Sequence, residues 1–333
     1  MATAMAVANR FSTPSGTGAV GLVTGFHSWP DRGPAGRFAY VNGRFVSHAD
    51  ACVHIEDRGL QFADAVYEVC GVLGGAIQDE EEHLDRLERS LRELGMAMPV
   101  SRNVLKLLMR ELARRNRIAN GLIYLQITRG TVRRDHPAPA KPPRPTLILT
   151  ARPIDPAALA TRRAKGVAAI TRPDERWARR DIKSTALLPN VLAKTAARDA
   201  GAFEAWLVDA DGYVTEGAST SAWIVDKDGE VVTRNLSNAI LPGVTRRVIL
   251  EAAREAQFRI VERPFTPAEA MAAREAFITA ATLGATPVIS IDGKPVGDGK
   301  PGPITQRIQE LYAHLAAERY GEGVVTFSAS HHI

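Results

Sequence analysis

Cysteine is almost missing from this chain. Cys52 and Cys70 are the only two among 333 residues. That rules out a disulfide framework, and their spacing matches no zinc site, so no metal is expected. A reducing cytoplasm suits such a chain. Long apolar runs are missing as well. None reaches the roughly 18–20 residues that a membrane span needs, so no membrane anchor is expected. The first 36 residues have neither the charged start nor the long apolar stretch of a signal peptide. Rich in Ala, Gly, Ser and Thr, they read as a flexible arm. Dense basic blocks interleaved with aromatics are not found, which argues against nucleic acid as a partner. Lysine is scarce: eight of the 42 basic residues, the rest being arginine.

What is present is globular. The chain is 45% hydrophobic and 24% charged, a profile that buries large cores at this length. Length alone suggests two domains. A net charge of +5 favours anionic small molecules such as phosphates and carboxylates.

Patterning gives a mixed order of strands and helices. "FAYVNGRFVS" (38–47) holds an Asn-Gly between apolar stretches, a hairpin signal. "QFADAVYEVCGVLGGAIQD" (61–79) is strand-rich with a Gly-Gly turn. Leu84, Leu87, Leu91 and Leu94 recur at helical spacing, and 102–116 is a second amphipathic helix. Strands follow at 121–130 and 145–154, separated by the proline-rich "TVRRDHPAPAKPPRP". A stiff loop of that length between strands is often functional. After a boundary placed in 151–164 come a strand at 165–173 and two Asp-Gly hairpins (204–217 and 221–234). A helix over 242–258, two strands within 275–293 and a final helix over 302–321 complete the pattern. The fold class is α/β (α+β). The expected division is an arm (1–36), a small α/β domain (37–155), a larger one (156–325) and a tail (326–333).

Few residues announce chemistry alone. In "DIKSTALLPNVLAK" (181–194), Leu188, Val191, Leu192 and Thr195 share one helical face. Lys194 lies on the other, so its expected place is solvent. Lys183 stands before the helix, near Arg179 and Arg180. Burial and neighbouring cations there would keep its amine neutral and able to attack a carbonyl. Glu216 in "VTEGAST" could hold a ring nitrogen protonated. Pro242-Gly243-Val244-Thr245 opens a helix with free N–H groups, a phosphate cup. The turn in "ITAATLGATP" is a second one. Arg134 and His136 sit two apart on the stiff loop, where an arginine can grip a carboxylate. Arg86 lies on a helix, where an ordinary ion pair is the default.

Taken in order, these blocks resemble the fold-type IV pyridoxal phosphate enzymes, the group of branched-chain and D-amino acid aminotransferases. The likeness runs from about residue 38 to about 322. It rests on "YVNGRFV", "EDRGLQFADAVYEV", "HLDRL", "IYLQITRGTVRRDHP", "DIKSTALLPNVLAK", "EAWLVDADGYVTEGAST", "ILPGVTRRVI" and "TPVISIDGKPVGDGKPGPIT". Tyr67, Val69 and the Arg134-x-His136 pair point to the D-amino acid branch. The segment after Lys183 lacks the Gly-Asn-Tyr of the branched-chain enzymes.

The resemblance implies a two-domain fold and pyridoxal 5'-phosphate as cofactor. It implies a Schiff base on Lys183, which also moves the proton, and Glu216 on the pyridine nitrogen. Arg86, Val244, Thr245 and Thr282 would hold the phosphate, with Ser219, Thr220 and Leu241 also at the cofactor. Tyr67, Val69, Tyr124, Arg134 and His136 would receive the substrate. The last two would come from the neighbouring subunit of a homodimer through loop 131–137. The implied reaction is a ping-pong transfer from D-alanine to 2-oxoglutarate. Rival readings are an (R)-selective amine transaminase, 4-amino-4-deoxychorismate lyase and a branched-chain L-amino acid aminotransferase. The chain departs from the family pattern at Thr220-Ser221-Ala222, where Ser-Asn is common, and at Ala280 and Ala281, where hydroxyls are common.

Overall fold

The computed structural model describes residues 36–320. The expected arm, apart from Gly36, and the expected tail lie outside the described residues.

The first sheet is six-stranded and fully antiparallel. It comprises β1 (Phe38–Val41), β2 (Arg44–Ser47), β3 (Ala65–Leu73), β4 (Ala76–Ile77), β5 (Gly121–Thr128) and β6 (Thr146–Pro153), in the order β2-β1-β6-β5-β3-β4. The β1–β2 turn is the Asn42-Gly43 of the sequence, both at positive φ (45° and 98°), the geometry of a tight hairpin. A short helix, α1 (Arg58–Phe62), precedes β3. Two longer ones, α2 (Glu80–Glu93) and α3 (Arg102–Arg115), follow β4. The periodic leucines explain their seating. Leu84, Leu87 and Leu91 of α2 and Leu105, Met109 and Leu112 of α3 join Val66, Ile123, Leu125 and Leu149 of the sheet in one core.

The second sheet is nine-stranded and mixed. Its strands are β7 (Val167–Pro173), β8 (Glu204–Val208), β9 (Val214–Gly217), β10 (Ser221–Val225), β11 (Val231–Thr233), β12 (Ile260–Glu262), β13 (Glu275–Ala280), β14 (Gly284–Ile291) and β15 (Lys294–Pro295). The order is β12-β11-β10-β13-β14-β7-β8-β9, with β15 paired to β14. Both Asp-Gly hairpins form as β8–β9 and β10–β11. Helices α4 (Pro156–Lys165), α5 (Leu188–Asp199), α6 (Val244–Glu255), α7 (Pro267–Ala272) and α8 (Pro303–Tyr320) complete the chain. Helices α4 and α7 were not legible as periodic segments. Both are short and begin at a proline behind a capping side chain, Asp155 and Thr266.

Helix α5 corrects the sequence reading twice. Its buried residues are Ala193 and Ala197, whereas Leu188, Val191 and Leu192 are exposed. Small side chains let the helix lie close on β8, so the larger ones face outward. Lys194 is therefore not a solvated lysine. Its Nζ donates to the Phe203 carbonyl, lies 3.3 Å from Glu204 Oε1 and sits 4.6 Å from the centre of the Phe203 ring. Glu204 is fully buried, and the cation balances a carboxylate that would otherwise be costly inside the protein.

Cross-links between the two sheets fix the segment before α5. Val66 pairs with Ser184 as an isolated bridge, and Tyr67 N–H donates to the Lys183 carbonyl at 3.0 Å. Arg89 of α2 donates to the carbonyl and the carboxylate of Asp181 at 2.8 and 2.6 Å. Among the described residues no helix is long and apolar enough to cross a membrane.

Candidate active site

A cavity of about 620 Å³ opens where the sheets meet, within the size range of small-molecule sites. Twelve of the fourteen residues singled out from the sequence line it. Tyr67, Val69 and Tyr124 come from the first sheet and Arg86 from α2. Lys183 comes from the inter-sheet segment, and Glu216, Ser219, Thr220, Leu241, Val244, Thr245 and Thr282 from the second half.

Lys183 is held by its backbone. Its N–H donates to Ser90 Oγ at 3.3 Å and its carbonyl accepts from Tyr67. The Nζ lies 4.3 Å from the centre of the Tyr67 ring, which stacks on Tyr124 at 5.7 Å. Burial pushes the Tyr124 hydroxyl pKa up to about 12, helped by Tyr67. It stays protonated and donates to Gln126 Oε1 at 2.8 Å. The two arginines near Lys183 in sequence are committed elsewhere. Arg179 pairs with Asp181 and Glu93, and Arg180 with Asp174.

Glu216 lies on β9 and is buried. Its Oε1 accepts from Arg176 Nη1 at 2.5 Å, and the Leu241 N–H reaches both carboxylate oxygens at 3.2 and 3.3 Å. Arg176 also chelates Asp174, at 2.9 and 2.8 Å. Burial raises the Glu216 pKa, and Arg176 and the Leu241 amide pull it part of the way back. The Ser219 and Thr220 hydroxyls face the cavity wall but are bound to Glu204, at 2.7 and 3.2 Å. Support for Glu216 thus comes from Arg176, which sequence reasoning missed. The only signal was an arginine seven residues before Lys183 in an arginine-rich stretch.

Arg86 is buried, and its partner is unusual for a helix surface. Its Nε and Nη2 clasp Glu68 at 2.8 and 2.7 Å, and Nη1 donates to the Pro242 carbonyl at 3.0 Å. His83, one turn earlier, meets Glu68 at 2.8 Å. Burial alone would raise the Glu68 pKa, but Arg86 and His83 hold it well below the usual carboxylate range. Glu68 and His83 also escaped the sequence reading. Glu68 sits between apolar residues on a strand, and nothing local shows that a buried arginine faces it. Of five guanidinium N–H donors, three go to Glu68 and Pro242 and a second on Nη2 lies 3.5 Å from His83 Nδ1, which leaves one on Nη1 open to an anion. Beside it stands the N-terminus of α6, with Gly243 as its cap. There buried Thr245 lines the cavity and meets the Tyr312 hydroxyl through its side chain. A hydroxyl can donate one hydrogen bond and accept two, so Thr245 has capacity left for a phosphate oxygen. A Cβ on Gly243 would lie 3.0 Å from Ser221 Oγ, so glycine keeps this entrance open. The residues present fit a phosphorylated, aldehyde-bearing pyridine: an amine, a carboxylate and an anion cup in one cavity.

Arg134 and His136 do not line this cavity. They are exposed on the loop after β5, which docks on α1 of its own chain. Arg58 donates to the carbonyls of Asp135 and His136 at 2.6 and 3.1 Å. The Phe62 ring lies 5.0 Å from the Arg134 guanidinium carbon and 5.5 Å from the His136 ring centre.

Comparison with known proteins shows the family of the chain. A family model, "Amino-transferase class IV", matches residues 65–291. The chain is 40% identical to the D-alanine aminotransferase of Bacillus licheniformis over 268 residues, 80% of this chain and 93% of that protein. It is 39% identical to that of Staphylococcus epidermidis over 271 residues, 81% and 95% of the two chains. Among solved structures, the Escherichia coli branched-chain amino acid aminotransferase aligns with a TM-score of 0.76 at 27% identity, covering 83% of this chain and 93% of that one. The branched-chain aminotransferase of the archaeon Thermoproteus uzoniensis, with norvaline, gives 0.73 at 25% identity over 87% and 98%. The chain belongs to the class IV aminotransferases.

Proposed function

We propose that this protein is a pyridoxal 5'-phosphate-dependent D-amino acid transaminase, with D-alanine as donor and 2-oxoglutarate as acceptor. The observation that carries the reading is the meeting of Lys183, Glu216 and Arg86 in one cavity, in a chain about 40% identical to D-alanine aminotransferases.

Lys183 would hold the cofactor's aldehyde carbon, Glu216 its ring nitrogen, and Arg86, Thr245, Thr282 and the first amides of α6 its phosphate. Bound there, the cofactor supplies an electron sink for the pair left at the substrate α-carbon. The protein supplies the rest. Lys183 Nζ, once free, takes the α-proton as general base and hands it back as general acid. Glu216, anchored by Arg176 and the Leu241 amide, would hold the ring nitrogen protonated. Tyr67, Val69 and Tyr124 shape the substrate side.

Arg134 and His136 lie outside their own chain's cavity, and this supports their serving a neighbour's. We read the functional unit as a homodimer in which loop 131–137 closes the partner's site and grips the substrate carboxylate. The exposed Leu188, Val191 and Leu192 of α5 fit burial between such copies. One sheet in each half of the chain supports a division into domains 37–155 and 156–325. Two free thiols suit the cytoplasm.

The visible spectrum of the holoenzyme tests the substrate class. D-alanine is expected to convert the aldehyde-form absorbance to that of pyridoxamine phosphate. A response to L-leucine or an (R)-arylamine, with none to D-alanine, refutes the assignment.

A further inference from the structure

Behind the active-site cavity lies a second, small one of about 60 Å³, lined by Arg163, Tyr312 and Gly71 among others. The turn Ala281–Leu283 divides the two, since Ala281 and Thr282 line both. Three contacts fix this turn. Leu283 N–H donates back to the Ala280 carbonyl at 3.0 Å. Arg163 Nε, from α4, donates to the Leu283 carbonyl at 2.9 Å. On the opposite flank β3 approaches so closely that a Cβ on Gly71 would lie 3.0 Å from the Ala281 carbonyl.

The next residue makes room for Arg163. Gly284 has φ +62°, and a Cβ there would meet Arg163 Nη2 at 2.6 Å and its Cζ at 3.3 Å. The guanidinium is packed against bare backbone. Among the described residues no carboxylate pairs with it. Burial pushes its pKa down and Tyr312 pushes it back, and arginine stays charged throughout. A half-buried cation with no counter-ion is costly unless an anion nearby compensates. The cavity side of the turn is poor in donors: Ala280 and Ala281 carry no hydroxyl, and Thr282 has the only one before Leu283.

We propose that Arg163 is a positioning residue for the cofactor's phosphate monoester. It locks the Ala281–Leu283 turn and sets a positive charge behind it, in place of the hydroxyls the turn lacks. This rests on the reading that the turn faces the phosphate.

The test compares two ligands of the apo-protein, pyridoxal 5'-phosphate and pyridoxal, each titrated by its visible absorbance. R163Q is expected to weaken pyridoxal 5'-phosphate about tenfold and leave pyridoxal unchanged, with R163K restoring part of the loss. Gly284→Ala, whose Cβ displaces the guanidinium, should give the same selective loss and carries the test if R163Q does not fold. Equal weakening of both ligands, or of neither, overturns the proposal. A wild type that binds the two ligands equally overturns the phosphate reading itself, and Arg163's role with it.

Discussion

Replacing Arg176 with Met should make the protein's stability fall more steeply with rising pH than the wild type's does. Arg176 is 8% exposed and lies between two buried carboxylates, Asp174 and Glu216. Removing one partner of a buried pair costs about 3–5 kcal/mol, because the remaining charge stays desolvated. Asp174 keeps Arg180 at 3.2 Å. Glu216 keeps the Leu241 amide. Its carboxyl is already raised above 4.5 by burial, and without Arg176 it rises further. A raised folded pKa means that the native state binds the proton more tightly than the unfolded one. The group's contribution is then full below the unfolded value of 4.5 and is lost as pH rises through the folded value. The variant's deficit should therefore be greatest near pH ~8 and shrink toward pH ~5. At about 2–4 °C per kcal/mol, the loss at the alkaline end is roughly 6–20 °C in Tm. Thermal melts of the apo-protein across this range measure it. A deficit below about 1 kcal/mol, or one that does not change with pH, would refute the assigned ion pair.

Lys183→Ala should abolish transamination while the fold persists by circular dichroism; near-normal turnover of the variant would sink the catalytic assignment. Lys194→Met removes the counter-charge of fully buried Glu204. Because the lysine is one-third exposed, we expect a loss of about 1–3 kcal/mol, and urea melts matching wild type would return Lys194 to the role of a surface charge. Leu87→Ala opens a cavity in the core shared by α2 and the first sheet and should cost about 2–5 kcal/mol. A shift in urea midpoint worth under about 1 kcal/mol would mean that this site collapses freely.

Much of the architecture is written locally. Asn42-Gly43 and the Asp-Gly pairs set hairpins because few residues tolerate their backbone geometry, and the leucines of α2 recur at the period of the helix they form. Lys183 and Glu216 were legible for a different reason. They sit in blocks of sequence shared with a family, and their own surroundings in the chain gave only weak signals. Arg176, Glu68, His83 and Arg163 were not legible at all. Each acts through a partner far along the chain, 18 residues away for Arg86 and Glu68 and 40 for Arg176 and Glu216. The exposed face of α5 and the internal role of Lys194 belong to the same group. Periodicity finds a helix's apolar stripe, but which stripe is buried depends on what packs against it, and here two alanines fit where leucines would not. Sequence by itself determined most of the elements, their order and the chemical types offered to the cavity. Only tertiary structure decided which charges meet, because desolvation and Coulomb energy depend on distance in space, not in sequence.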